Sequence, residues 1–167
     1  GFQGAVEMCN NNGACRALKG GVMCPSNRVT REERDVTRGR ANTLRLAITG
    51  QLGPDALASD EMAETLKLCV SCKACRRECP TGVDMARMKI EVLAARAGRF
   101  ELSLHDKLVG FLPHYAPYAV RWHRLFNMRN GNGLFRKASE LIAGFSSRRS
   151  LPKWRSDIYR DRSDWRY

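Results

Sequence analysis

The chain has 167 residues, 43% of them hydrophobic, with 29 basic and 17 acidic side chains and a formal net charge of +12. That length suits one domain able to bury about two-thirds of its unfolded surface. Seven cysteines are too few, and odd in number, for a small disulfide scaffold, and no basic leader with an apolar core opens the chain, so secretion is not expected. The excess of basic residues implies a face that meets something acidic: nucleic acid, anionic lipid or an acidic protein. The start at Gly1-Phe2-Gln3, without a methionine, reads as a piece of a longer polypeptide or a processed product.

In chain order, Cys9-Asn-Asn-Asn-Gly-Ala-Cys15 comes first, two cysteines separated by five residues, with Asn12 where a middle ligand would be expected. Cys24-Pro25 follows. Thr30-Arg31-Glu32-Glu33 fits a capping box that would open a helix toward Arg38. Ala41 to Ile48 carries a second helical pattern, stopped near Gly50. Ser59, with Asp60 and Glu61 in the first turn, predicts a helix placing Met62, Leu66 and Cys69 at apolar spacing. Val83 to Ala97 reads as a helix ended by Gly98, and Leu104–Leu112, Tyr115–Met128 and Leu134–Ala143 as three more, separated by Pro113 and by the Asn130-Gly-Asn-Gly run. No segment shows the alternation of a half-buried strand. The longest uncharged apolar stretch, Val109 to Val120, contains His114 and two prolines and falls well short of the ~20 residues of a membrane span. No transmembrane segment is expected. The predicted fold is all-α: one domain over residues 1–145, followed by an extended basic linker or tail, 146–167, rich in Arg, Ser and Trp.

Residues 69–80, CVSCKACRRECP, carry the strongest chemical signal: C-x2-C-x2-C-x3-C-P. Closely spaced thiolates let one loop wrap an iron–sulfur cubane. In two-cluster ferredoxins the fourth cysteine of this run ligates the other cluster. Zinc is the main competitor, although structural zinc sites usually draw ligand pairs from two separated knuckles. If Cys79 leaves the local cluster, another fourth ligand is needed, and Cys24, also followed by proline, is available. A crossed arrangement then has Cys69, Cys72, Cys75 and Cys24 around one cluster and Cys9, Cys15 and Cys79 at a second. The alternative is one cluster held locally by residues 69–79. Crossed ligands would staple distant parts of the chain, so that metal binding contributes folding energy.

The crossed pattern resembles the α-helical ferredoxin domain of succinate dehydrogenase iron–sulfur subunits and glycerol-3-phosphate dehydrogenase subunits. More closely, Gly20–Gly50 together with Leu68–Glu91 resembles the iron–sulfur region of large FAD-linked oxidases of the D-lactate or D-2-hydroxyglutarate dehydrogenase type. The resemblance covers most of residues 1–100 and is weaker beyond them. It implies a [4Fe-4S] cluster and a second cluster, [3Fe-4S] or [4Fe-4S], the latter with an open or non-cysteine corner where Asn12 replaces a cysteine. It also implies FAD on a domain outside this chain. Flavin would take a hydride from a 2-hydroxy acid, and electrons would pass on to a cysteine-rich domain, a quinone or a carrier protein. The expected location is cytoplasmic, at most peripheral to the inner membrane. No flavin-binding sequence or substrate pocket is visible in the chain, and no catalytic residue is assigned.

Two readings stand beside this one. The first is a separate iron–sulfur subunit of a respiratory dehydrogenase. The second is a nucleic-acid-binding protein with a structural cluster, suggested by the charge and by Arg28, Arg31, Arg34 and Arg38 at helical spacing. That stripe has no interleaved aromatics for base stacking, so nucleic acid is the less favoured partner. Lys73, Arg76 and Arg77 among the ligands would favour a reduced, more negative cluster, or simply form a solvated loop. His105, His114 and His123 share no ligand spacing and are read as structural. Met85 and Met88 are expected to pack under a cluster, and Trp122, Trp154 and Trp165 to be packing or interface residues.

Overall fold

The computed structural model describes residues 1–157, which contain helices and turns and no strand. The fold is all-α, as the pattern predicts. Trp165 lies outside the described residues. Contacts divide the chain into two units, Gly1–Glu101 and Leu102–Tyr167.

The first unit holds six helices: α1 (Phe2–Glu7), α2 (Pro25–Thr30), α3 (Thr37–Ile48), α4 (Asp60–Lys67), α5 (Ala74–Glu78) and α6 (Met85–Arg99). Its core is drawn from all of them but α2. Val6 of α1, Leu44 of α3, Met62 and Leu66 of α4, and Met85, Met88 and Val92 of α6 are each at most 2% exposed. Burial of each such side chain contributes about 1.5–3 kcal/mol. α3 packs closely on the 3-10 turn Glu33–Asp35, where a Cβ at Gly39 would collide with the Glu33 carbonyl.

Cap chemistry sets two of the helix starts. Ser59 Oγ accepts from the Met62 amide at 3.1 Å, as predicted, and Asp84 Oδ1 accepts from Arg87 at 3.1 Å to open α6. Arg96 of α6 donates to the Ala58 and Ser59 carbonyls, both at 2.6 Å, which ties α6 to the start of α4. α6 runs past Gly98 to Arg99, because a lone helical glycine costs only about 1 kcal/mol and does not end a helix by itself.

The predicted capping box at Thr30 is not used. α2 ends at Thr30, Arg31 turns left-handed at φ 63°, and Thr30 Oγ1 accepts from the Glu32 amide within the resulting loop. The next long helix begins at Thr37. Consequently Arg28, Arg31, Arg34 and Arg38 do not form a stripe. Arg28 donates to the Gly20 and Gly21 carbonyls, Arg34 pairs with Glu32, and Arg38 pairs with Glu33.

The second unit contains α7 (Leu104–Gly110), α8 (Leu112–Ala119), α9 (His123–Gly131) and α10 (Gly133–Ala143). Pro113, predicted as a separator, sits in the first turn of α8, where its missing N–H costs nothing, and Pro117 lies inside the same helix. The buried Arg129 of α9 donates to Ser139 Oγ at 2.6 Å and to the Phe145, Ser146 and Arg149 carbonyls. After α10 the described residues have no regular structure but are not free. Asn127 exchanges two hydrogen bonds with the backbone of Trp154, and Asn130 exchanges two with Leu151, all between 2.8 and 3.0 Å. Trp154 also meets Phe126, with ring centroids 5.7 Å apart, whereas Trp122 is exposed. His105 Nδ1 lies 3.1 Å from the Ala143 carbonyl and His123 Nδ1 3.0 Å from that of Val120, which accounts for both as structural groups. Among the described residues no helix is long and apolar enough to cross a membrane.

Candidate metal centre

All seven cysteines are unpaired thiols in the first unit. Cys24, Cys69, Cys72 and Cys75 line one cavity, although Cys24 stands 45 residues before the nearest of the others. The backbone reaches this arrangement through rare conformations. Cys24, Ser71 and Lys73 all have positive φ, at 52°, 54° and 58°. Such angles are uncommon outside glycine and are kept where a site over-determines them. Those at Ser71 and Lys73 fold the loop back on itself, and the one at Cys24 turns the chain into α2, with Pro25 in its first turn.

Hydrogen-bond donors point at two of the sulfurs. The Thr37 amide donates to Cys24 Sγ at 3.1 Å, the Thr37 hydroxyl lies at the same distance, and the Met85 amide donates to Cys75 Sγ at 3.4 Å. Burial pushes the Cys75 thiol above its ordinary pKa. The Met85 amide opposes this, and charge on Cys24 adds to it. Arg40 also lines the cavity. It is 2% exposed and donates to the Thr65 carbonyl, to Ser26 Oγ and, at 3.5 Å, to Asp35.

The Cys24 loop is held from outside. Glu78 of α5 accepts from the Val22 amide at 2.9 and 3.0 Å and from the Met23 amide at 2.9 Å. Gly21 permits this approach: its φ is +57°, and a Cβ there would stand 2.6 Å from Glu78 Oε2.

Cys9, Cys15 and Cys79 are arranged differently. Cys9 and Cys15 are buried in the core, and Cys79 packs against it half-buried. The Cys15 thiol is pushed up, first by burial and then by charge on Cys24 and Cys9, with the Arg38 amide and guanidinium opposing. For Cys79, burial raises the thiol, but the Thr81 hydroxyl at 3.2 Å and the amides of Val83, Thr81 and Gly82 outweigh it and bring it below its ordinary value. Such a nest of donors suits a thiolate. Asn12 is exposed and locally occupied: its amide donates to Asn10 Oδ1 and its oxygen accepts from Ala14.

Among the described residues no three His, Cys, Asp or Glu side chains converge as a single metal ion requires. The four thiols of the cavity are instead spread around its wall. Soft thiolates so spread, amides directed at sulfur and a buried guanidinium to offset anionic charge fit the demands of an iron–sulfur cluster. Met85, which lines the cavity, and Met88 are both buried. Thr37, Thr81, Glu78 and the Met85 amide had no signal in the sequence. Thr37, Glu78 and the Met85 amide act across 10 to 56 residues of chain, and the Thr81 hydroxyl, two residues from Cys79, looks in the sequence like any loop hydroxyl.

An all-α module with its cysteines gathered in this way is consistent with a ferredoxin-like iron–sulfur module, and residues 5–83, which include every cysteine, match the 4Fe-4S dicluster domain family. Along most of its length the chain is also distantly similar to D-2-hydroxyglutarate dehydrogenases. It is 29% identical over 174 residues to that of Pseudomonas putida, covering 85% of this chain and 17% of the relative. It is 28% identical over 178 residues to that of Escherichia coli, covering 86% and 17%. With that of Haemophilus influenzae the identity is 25% over 159 residues, covering 75% and 15%. The chain therefore spans about a sixth of the length of the curated relatives it matches. No solved structure matches it. No catalytic site is visible among the described residues.

Proposed function

We propose that this chain is the electron-transfer module of a flavin-linked 2-hydroxy-acid dehydrogenase of the D-2-hydroxyglutarate or D-lactate type. In this reading the FAD domain and substrate site lie outside the chain. Cys24, Cys69, Cys72 and Cys75 hold one [4Fe-4S] cluster, and Cys9, Cys15 and Cys79 hold a second, of three or four irons. When bound, the clusters supply one-electron steps between flavin and a downstream acceptor such as a cysteine-rich domain, a quinone or a carrier protein.

The chain's own residues do the rest. Thr37 and the Met85 amide donate to ligand sulfurs and so favour added negative charge. The core methionines keep water from the inner wall. Glu78 holds the Cys24 loop against the helix that carries Cys75. The observation that carries the reading is the meeting of Cys24 with Cys69, Cys72 and Cys75 at one cavity. The similarity to D-2-hydroxyglutarate dehydrogenases supports the substrate class.

Anaerobic iron and sulfide analysis with electron paramagnetic resonance tests it. About seven or eight irons per chain supports two clusters, and about four supports one. Cys24→Ser is expected to alter the same signal as Cys72→Ser, and Cys9→Ser a different one. If Cys24→Ser leaves the Cys72-dependent signal untouched, ligation is local and the crossed arrangement is rejected.

A further inference from the structure

Of the four cysteines around the first cavity, Cys24 and Cys75 are buried, Cys69 is half-buried and Cys72 alone is exposed. Electron tunnelling falls steeply with distance, so the Cys72 sulfur marks the shortest way between that site and the surface. The surface around it is unusual for solvated protein. Val22 and Val70 are 64% and 68% exposed, and Val22, Pro25 and Arg77 share an open groove with Cys72. Lys73, Arg76 and Arg77 are exposed around the same loop.

Two carboxylates stand nearby, Glu78 in the same groove and Asp84 beside Arg76, and offset part of this charge, leaving the three cations in excess. Glu78 is committed to the Val22 and Met23 amides, and the Asp84 side chain is only 12% exposed, 3.9 Å from Arg76. An apolar centre with a predominantly basic rim is the form of a small, transient, electrostatically steered contact. No aromatic side chain stands among these residues to stack a base, which favours protein over nucleic acid.

We propose that the rim around Cys72 is the docking surface for a redox partner whose own face presents carboxylates around an apolar centre. The proposal rests on the iron–sulfur reading above. Each encounter moves one electron between the cluster and the partner's redox group, and no bond forms or breaks.

The test uses the cluster-loaded chain, with iron, sulfide and the resonance signal of the first cluster recorded beforehand. Power saturation of the reduced signal is then followed with two redox-inert relaxing agents, the trianion tris(oxalato)chromate(III) and the trication hexaamminechromium(III). The trianion is expected to speed relaxation several-fold more than the trication at low salt, and the difference to collapse at about 0.5 M salt. Arg77→Glu and Lys73→Gln should each reduce the trianion's advantage. Arg99→Glu, with the net-charge change of Arg77→Glu but at the far end of α6, about 20 Å along the helix from the Met85 amide that faces Cys75, should not. Because Lys73→Gln and the salt series report independently, a failure of Arg77→Glu to load does not shield the proposal. Equal relaxation by the two agents, or an Arg99→Glu effect as large as that of Arg77→Glu, overturns it. Absence of a first-cluster signal, or indifference of that signal to Cys24→Ser, overturns the underlying reading and the proposal with it. An intact, Cys24-dependent signal without preference for the trianion removes the docking surface alone.

Discussion

Glu78 accepts the amide of Met23 at 2.9 Å across 55 residues of chain, and the same carboxylate takes the neighbouring Val22 amide. One side chain on the helix of Cys75 thereby sets the position of the loop that ends in Cys24. Glu78→Ala leaves two amides to water and removes the hydrogen bonds that join that loop to α5. Hydrogen bonds to charged groups are worth about 1.5–3 kcal/mol when desolvated, and exposure reduces this. A loss of about 1–2 kcal/mol in urea unfolding is expected, together with a reduced first-cluster signal although every cysteine remains. Glu78→Gln, which keeps an acceptor oxygen, should recover part of both. Gly21→Ala should resemble Glu78→Ala, since its Cβ would occupy the carboxylate's place. An unchanged signal in Glu78→Ala would show that the loop is positioned by other contacts.

Thr37 acts on Cys24 directly. When the cysteine is a thiolate, the Thr37 hydroxyl, 3.1 Å away, can only donate. A hydrogen bond to ligand sulfur stabilises the more negative, reduced state. Thr37→Val removes the hydroxyl and keeps the amide donor, so the potential of the first cluster is expected to fall while its iron content stays the same. Thr37→Ser should restore it. Redox titration followed by paramagnetic resonance reads the shift, and a potential that rises or does not move would contradict the assignment of Cys24 to that cluster.

Much of this site could be read from the sequence because its chemistry is local. The Cys69–Cys79 spacing, the proline after Cys79 and the Ser59 cap act over a few residues and are visible without a fold. The meeting of Cys24 with the Cys69–Cys75 loop was legible only as a counting argument, a missing fourth ligand beside a second Cys-Pro. The helix expected from Thr30 was misread because a capping box reports hydrogen-bond capacity and not backbone conformation. Arg31 is left-handed there, and the Arg stripe inferred from an unbroken helix disappeared with it. The role of Glu78 was not readable at all, since a glutamate among arginines on a short helix looks like ordinary surface.

Arg40 and Asp35 form an ion pair in which both side chains are at most 3% exposed, and Asp35 Oδ2 has no partner. The pair lies beside the first cavity, with the guanidinium on its wall. Removing one member of a buried pair strands the other charge and costs about 3–5 kcal/mol, whereas replacing both with well-packed apolar groups is often near neutral. Arg40→Met should therefore destabilise the metal-free chain by about that amount, and Arg40→Met with Asp35→Leu should recover most of it. The loaded protein should separate the two roles. The double variant, stable but lacking the buried cation, is expected to show a lower first-cluster potential than the parent. Recovered stability with an unchanged potential would confine Arg40 to a structural part.

Asn127 and Asn130 stand one helical turn apart on α9, and each offers its side-chain amide to the tail as a strand offers its backbone. Oxygens accept from Trp154 and Leu151, and nitrogens donate to the same residues' carbonyls. These four bonds, with Trp154 against Phe126 and Tyr115, hold residues 151–154 to the helix without regular structure. Asn130→Ala removes the pair at Leu151 and leaves the aromatic contacts intact, at an expected cost of about 1–2 kcal/mol. The change should appear locally. Hydrogen exchange at the Leu151 amide is expected to accelerate by about 5- to 30-fold, as about 1.4 kcal/mol per tenfold implies, while amides of α3 and α6 keep their rates. Asn127→Ala should do the same at Trp154 and also shift tryptophan emission to the red as the indole gains water. Equal acceleration throughout the chain would mean that the tail is part of one cooperative unit with the helices around the cysteines. Unchanged exchange at Leu151 would mean that packing of Trp154 alone holds the segment.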